Sequence, residues 1–324
     1  MKKICLVLCV AFSAVLIFFS VTNNVENEVM NEVILDGEQK QAYISAQMDK
    51  MFRSGGVKSA FEVPQGWEWQ RFKVGSAYAE HMRLNTKHGN RVILQLHGGG
   101  YLFGLSDAHR LLGVNQAQLA GVSDVYYSDY RLAPQNTYPA ALQDAVALYR
   151  EMLNRGILAK NIILIGDSAG GNLAVELALY LKEHNLPQPG VIILISPWAT
   201  MEVLEGTSRS FNESKDQALG KGTPLFESVK KAEYIGDIDR KDPRVSPIYA
   251  DLSGLSPTLI QAGGSELFLS ECEELARKFA ADGVEVSFSA YAGMPHDFAL
   301  LLPHMRESLN SLQEIADFVN RYMR

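Results

Sequence analysis

A chain of 324 residues with 47% hydrophobic and 21% charged residues has the size and balance of one soluble, enzyme-sized domain, which argues against both intrinsic disorder and a polytopic membrane protein. Its formal net charge of −7, with no Lys/Arg cluster interleaved with aromatics, argues against nucleic acid as a partner. Mild acidity of this kind says little about a small-molecule substrate.

The first feature along the chain is a targeting pattern. Lys2 and Lys3 precede an uncharged apolar run from Ile4 to Val21, and Thr22 to Gln39 carries several acids but no Lys or Arg. Residues 1–25 are therefore expected to be an export signal or a membrane anchor. The run is longer than a usual signal core and just long enough to span a bilayer, so cleaved and uncleaved forms are both open. Positive charge before the run and none after it would leave the body outside the cytoplasm, as a periplasmic, secreted or anchored protein. Cys5 and Cys9 fall inside this run, which leaves Cys272 alone in the body, where a lone Cys on a helix reads as a small buried hydrophobe.

From Trp67 onward strands and helices alternate. Strands are expected at Trp67 to Val74, Tyr78 to Leu84 and Arg91 to Leu96, these three forming an antiparallel edge. Further strands follow at Val122 to Tyr127, Asn161 to Ile165, Val191 to Ile195, Thr258 to Ala262 and Val284 to Ser289. Helices are expected near Arg110 to Ala120, Ala140 to Asn154, Ala169 to Glu183, Ser270 to Ala281 and Arg306 to Tyr322. Continuous apolar runs such as Ile162 to Gly166 and Val191 to Ile195 imply strands buried on both faces, hence a mostly parallel sheet covered by helices on both sides. Ligands of such a sheet bind beyond the carboxyl ends of its strands. Two regions break the rhythm: a helix over Glu32 to Phe52, and a long insertion from Ala199 to Arg244 with a Thr223-Pro224 helix start. Together, as residues 32–56 and 199–244 of a catalytic domain spanning 26–324, they are candidates for a helical cap over the strand ends.

Chemistry enters at Gly166-Asp167-Ser168-Ala169-Gly170-Gly171, which joins the strand at Asn161 to Ile165 directly to a helix. This is a G-x-S-x-G elbow in the context it requires: a tight turn, glycines where strand and helix pack closely, and a serine held up with its hydroxyl exposed. The helix N-terminus beside it favours a developing oxyanion. The bland reading, a plain glycine-rich turn, does not account for the strand-elbow-helix order. His97-Gly98-Gly99-Gly100-Tyr101 follows the strand Arg91 to Leu96, and consecutive glycines there let backbone N–H groups approach a substrate. Gly98 and Gly99, with Ala169, are the expected oxyanion donors. His97 precedes the nucleophile in the chain and is expected to brace this loop rather than act as a base.

At this point the chain resembles the hormone-sensitive-lipase family of α/β-hydrolase esterases, from about Phe61 to the end. The segments that carry the resemblance are HGGGY at 97–101, DYRLAP at 129–134, YPAA at 138–141 with Asp144, GDSAGG at 166–171 and Ser196-Pro197-Trp198. The resemblance implies the α/β-hydrolase fold, hydrolysis of carboxylic esters with short to medium acyl groups, and a cap built from N-terminal helices and an insertion like 199–244. Asp129 and Arg131 read as scaffold charges, since such groups are costly to leave unpaired.

An acid and a base are expected after the nucleophile. His296, in Met294-Pro295-His296-Asp297-Phe298 after the last strand, fits the base; His304 lacks such a placement. Glu266, directly after the strand Thr258 to Ala262, is the expected acid, where the family usually has Asp. Ser265 would take that place under a one-residue shift, and Glu271, Glu273 and Glu274 read as solvated helix acids. The implied reaction is acyl transfer through a Ser168 acyl-enzyme to a small-molecule ester's product acid. No metal or nucleotide cofactor is implied, because no H-E-x-x-H, paired-Cys or Walker pattern is present. Deacetylase or peptidase activity on the same machinery is the alternative. A non-catalytic receptor, like the plant gibberellin receptors on this scaffold that lack the His, is disfavoured by His296. Tyr101, Phe103, Trp198, Phe211 and Phe226 are candidates for an apolar pocket, each equally a candidate for the core.

Overall fold

The computed structural model describes residues 32–53, 61–86, 89–202 and 207–323. The expected export segment, with Cys5 and Cys9, lies outside the described residues. Eight strands form one sheet: β1 (Trp67–Val74), β2 (Ala77–Leu84), β3 (Val92–Leu96), β4 (Asp124–Asp129), β5 (Ile162–Asp167), β6 (Val191–Ile195), β7 (Thr258–Gly263) and β8 (Val286–Tyr291). The helices are α1 (Gly37–Arg53), α2 (Asp107–Ala120), α3 (Ala140–Asn154), α4 (Ala169–Glu183), α5 (Ser208–Phe211), α6 (Phe226–Lys231), α7 (Leu269–Ala281), α8 (Phe298–Leu301) and α9 (Arg306–Tyr322). No helix among the described residues is long and apolar enough to cross a membrane.

The strand order is β1-β2-β4-β3-β5-β6-β7-β8, and from β4 onward every neighbour is parallel. The expected antiparallel N-terminal edge is present, but its third strand is β4 and not the expected Arg91 to Leu96 strand. β2 pairs antiparallel with β1 and with β4, in the register Tyr78↔Asp129, while β3 sits inside the sheet between β4 and β5. β3 is apolar and fully buried, and the α2 crossover returns the chain so that β4 inserts between β2 and β3. Sequence adjacency alone did not reveal that insertion.

The continuous apolar strands feed two cores by alternation, because successive side chains leave a strand on opposite faces. Leu94, Leu96, Leu164, Ile192 and Leu194 pack on one face with apolar residues of α3, α4 and α7. Ile93, Ile163, Ile165, Ile193 and Ile195 pack on the other with α1, α2 and α9. The scaffold charges are paired: Arg71 holds Asp129 at 2.6 Å, and Arg131 grips buried Asp144 at 2.9 Å. α1 begins at Gly37, after Val33 bridges to Met305 as a short parallel pair, which takes the first residues of the expected helix out of it. The carboxyl ends of β3, β5, β7 and β8 all open on one side, and the candidate site lies there.

Candidate active site

The turn after β5 places Ser168 with φ 50° and ψ −118°, a backbone state costing a non-glycine residue on the order of 1–3 kcal/mol. Crowding fixes the glycines around it. A Cβ on Gly166 would lie 2.1 Å from the Gly170 carbonyl oxygen, and one on Gly170 would lie 2.0 Å from the Leu96 carbonyl oxygen. The strand end, the helix start and the neighbouring loop therefore touch backbone to backbone, and Ser168 is left at the apex.

His296 Nε2 lies 2.9 Å from Ser168 Oγ. On the other side of the ring, Glu266 Oε2 is 3.9 Å from Nδ1, an ion-pair separation too long for a hydrogen bond. Glu266 is fully buried, and its Oε2 accepts hydrogen bonds from the Ser196 hydroxyl at 2.6 Å and the Gly263 N–H at 2.8 Å. Burial pushes its carboxyl up to about 8, against the lowering effects of His296 and of those two donors. Burial alone would push His296 down. The facing carboxylates of Asp297, Glu266 and Asp216 outweigh it and carry the imidazole up to about 9. Asp297 Oδ2 stands 3.2 Å from Nε2, on the serine side of the ring.

Several of these partners carried no sequence signal. Asp216, buried in the 199–244 insertion, accepts from the N–H groups of Leu267 at 2.8 Å and His296 at 3.3 Å, and so ties the acid loop to the histidine loop. A lone Asp in a loop without a motif gives no reason to single it out. Ser196 was visible only as part of Ser-Pro-Trp, and its contact with Glu266 depends on β6 lying beside β7.

The oxyanion loop differs from expectation at one residue. The Gly98 N–H donates to Asp167 Oδ2 at 2.9 Å, and Gly98 is buried away from the cavity. That donor is committed, so Gly98 is corrected out of the expected set. Gly99 and Gly100, both at positive φ, line the cavity next to Ser168, and their N–H groups and that of Ala169 have no acceptor among the described residues. His97 is buried, its Nδ1 is 2.8 Å from the Gly98 carbonyl oxygen, and its ring stacks on Tyr130 at 4.1 Å. Burial holds its pKa down to about 4, so it stays neutral and braces the loop.

Ser168, His296, Gly99 and Gly100 line a cavity of about 580 Å³ with largely apolar walls, and Glu266 lies behind it. Trp198 and Phe103 line it; Tyr101 instead packs in the core, with its hydroxyl on Asn172, while Phe226 is buried outside the cavity and Phe211 is solvent-exposed. Met51 and Phe52 of α1 line the cavity, as do Leu219, Leu225 and Val229 of the insertion. The expectation for Glu271 is also corrected. It is fully buried, accepts from the Ala199 N–H at 2.9 Å and pairs with Arg209 at 2.7 Å, whereas Glu274 is exposed.

Comparison with known proteins matches residues 93–300 to the alpha/beta hydrolase fold family. An esterase of Acinetobacter venetianus is 35% identical over 228 residues, 70% of this chain and 74% of that protein. An acetyl-hydrolase of Streptomyces hygroscopicus is 33% identical, over 76% of this chain and 80% of its own. A crystal structure of an esterase from the bacterial hormone-sensitive lipase family superposes with a TM-score of 0.79 at 29% identity, covering 90% of this chain and all of that one. The chain belongs to the hormone-sensitive-lipase-like α/β-hydrolases. In this hydrolase the G-x-S-x-G elbow, the glycine loop and the histidine loop all fall within the matched residues, at the carboxyl ends of β5, β3 and β8.

Proposed function

We propose that the protein hydrolyses carboxylic esters of short to medium acyl length, with Ser168 as nucleophile, His296 as general base and Glu266 as the acid behind it. It is a serine carboxylesterase by family, and the observation that carries the finer reading is the 2.9 Å contact between His296 Nε2 and Ser168 Oγ at the floor of an apolar cavity. His296 takes the Oγ proton as Oγ attacks the ester carbonyl carbon. The N–H groups of Gly99, Gly100 and Ala169 receive the negative charge that develops on the carbonyl oxygen, an electrostatic contribution worth several kcal/mol of barrier. His296 then hands the proton to the departing alkoxide, leaving Ser168 acylated. Water, deprotonated by the same nitrogen, releases the acid.

Glu266 stabilises the imidazolium without taking its proton. Ser196 and Gly263 fix Oε2 toward the Nδ1 side of the ring, and the charge appearing on the ring draws the two together, as catalytic contacts tighten when substrate is bound. α1 and the 199–244 insertion serve as the cap. The charge asymmetry around residues 4–21 supports a reading in which the catalytic body lies outside the cytoplasm.

Ser168→Ala tests the central claim. Activity on a short-chain ester should fall by several orders of magnitude, and a fluorophosphonate should label the parent protein at Ser168 but leave the variant unmodified. A variant retaining a near-parental rate would overturn the reading.

A further inference from the structure

Beside the nucleophile elbow stands a second histidine that the mechanism does not use. His109, in the first turn of α2, is buried, and its Nε2 lies 3.3 Å from Asp167 Oδ2, the oxygen that also accepts the Gly98 N–H at 2.9 Å. The other nitrogen fixes the tautomer. His109 Nδ1 accepts from the Ser106 backbone N–H at 3.3 Å and lies 2.7 Å from the Ser106 hydroxyl, so the proton of the neutral ring resides on Nε2 and points at Asp167. Ser106 in turn caps α2, accepting from the His109 N–H at 3.4 Å.

The carboxylate at the end of this chain of contacts joins the two halves of the oxyanion site. Asp167 immediately precedes Ser168 and Ala169, while Gly98 immediately precedes Gly99 and Gly100. The approach is close: a Cβ on Gly98 would lie 2.3 Å from Asp167 Oδ2 and 3.0 Å from the Asp167 carbonyl oxygen. Tyr130 anchors the loop one residue earlier by donating to the His97 carbonyl oxygen at 2.6 Å. The aim of the Gly99 N–H therefore depends on the peptide that Asp167 holds. Asp167 Oδ1 has no hydrogen-bond partner among the described residues, so the side-chain restraint on the carboxylate's orientation falls on Oδ2 and on His109.

We propose that His109 is a positioning residue of the oxyanion site: through Asp167 it fixes the Gly98 peptide and thereby the aim of the Gly99 and Gly100 N–H groups at the transition state. This rests on the assignment of Gly99, Gly100 and Ala169 as oxyanion donors. A residue that merely capped α2 would move stability and leave the chemistry alone. A residue that sets the oxyanion site changes kcat with little effect on KM, because those N–H groups bind the transition state better than the ground state.

Matched aryl butyrate and thionobutyrate esters distinguish the two roles, since N–H donors aimed at a carbonyl oxygen stabilise a developing oxyanion better than the larger thiolate-like sulfur. The parent enzyme is expected to prefer the oxoester strongly. In His109→Ala that preference should shrink by about tenfold or more, with oxoester KM within about twofold of the parent. His109→Gln, whose amide N–H reaches toward Asp167 Oδ2, should recover most of it. Should His109→Ala fail to fold, Ser106→Ala removes the hydroxyl partner of Nδ1 and should shift the preference in the same direction. An unchanged oxoester preference in the folded variants overturns the role of His109. A parent enzyme without that preference overturns the donor assignment beneath it.

Discussion

Two carboxylates flank the imidazole of His296, and they differ in what they can do. In the proposed mechanism Glu266, behind Nδ1, supports the imidazolium, whereas Asp297, 3.2 Å from Nε2, favours a proton on the nitrogen that must be empty to accept one from Ser168. Burial lowers the imidazole pKa, and the carboxylates more than reverse it, carrying it up to about 9 and favouring a protonated ring at neutral pH. Glu266, raised to about 8 by burial, loses charge on the same side. Both effects withdraw activity as pH falls, so kcat/KM should climb through about pH 8 to 9 and level off only above that range. Asp297→Asn keeps a residue that tolerates φ 50° and removes one charge, and should move the limb to lower pH. A parental limb below about pH 7, or one unmoved by the substitution, contradicts this account. Glu266→Gln should fold, because an amide oxygen can still accept from Ser196 and Gly263, yet lose about a thousandfold in rate. That Ser168, His296 and Glu266 come together is legible because chain order and strand ends constrain them. Asp297 carries no such signal, since adjacency in sequence does not reveal that its side chain turns back onto Nε2.

Helix α7 keeps its expected span but not its expected exposure. Its span was readable from periodicity, but Glu271 in its first turn is buried because the 199–244 insertion brings Arg209 across it, a contact between residues 62 apart. Acids early in a helix are ordinarily solvated, and only the tertiary placement of Arg209 overrides that default. The pair also receives the Ala199 N–H on Glu271 and sends an Arg209 N–H to the Thr200 carbonyl oxygen, so it staples the start of the insertion to the hydrolase core. Glu271→Gln would keep one acceptor but leave a buried guanidinium without its counter-charge. It should lower unfolding stability by about 3 kcal/mol, read from denaturant midpoints. Activity per folded molecule should change far less than in Glu266→Gln. The sheet was readable in the same partial way: alternation and apolar runs marked eight strands, while the order β2-β4-β3 depends on the α2 crossover, for which strand patterns carry no signal.

At the scale of the molecule, the charge asymmetry of residues 2–39 and the apolar cavity bear on separate questions. We propose that the catalytic body is exported, so fractionation of cells making the full chain should recover esterase activity from periplasm, medium or membrane; soluble cytoplasmic activity with Met1 intact would rule this out. In the proposed reading the cavity limits the substrate. At about 580 Å³ it lies in the middle of the range for small-molecule sites, and it must hold the alcohol part of the ester as well as the acyl chain. Its walls include Met51 and Phe52 from α1 and Leu219, Leu225 and Val229 from the insertion, so lengthening the acyl chain requires displacement of apolar groups already packed against the sheet domain. Each added methylene gains about 0.8 kcal/mol of burial while room remains, and the gain reverses once the chain meets these walls. Across a series of aryl esters, kcat/KM should therefore rise over the first few carbons and then fall steeply. Val229→Ala, which removes bulk from the insertion side of the wall, should shift the maximum toward longer chains. A parent enzyme that favours long-chain triglyceride emulsions, or a maximum unmoved in the folded variant, would show that the acyl chain lies elsewhere.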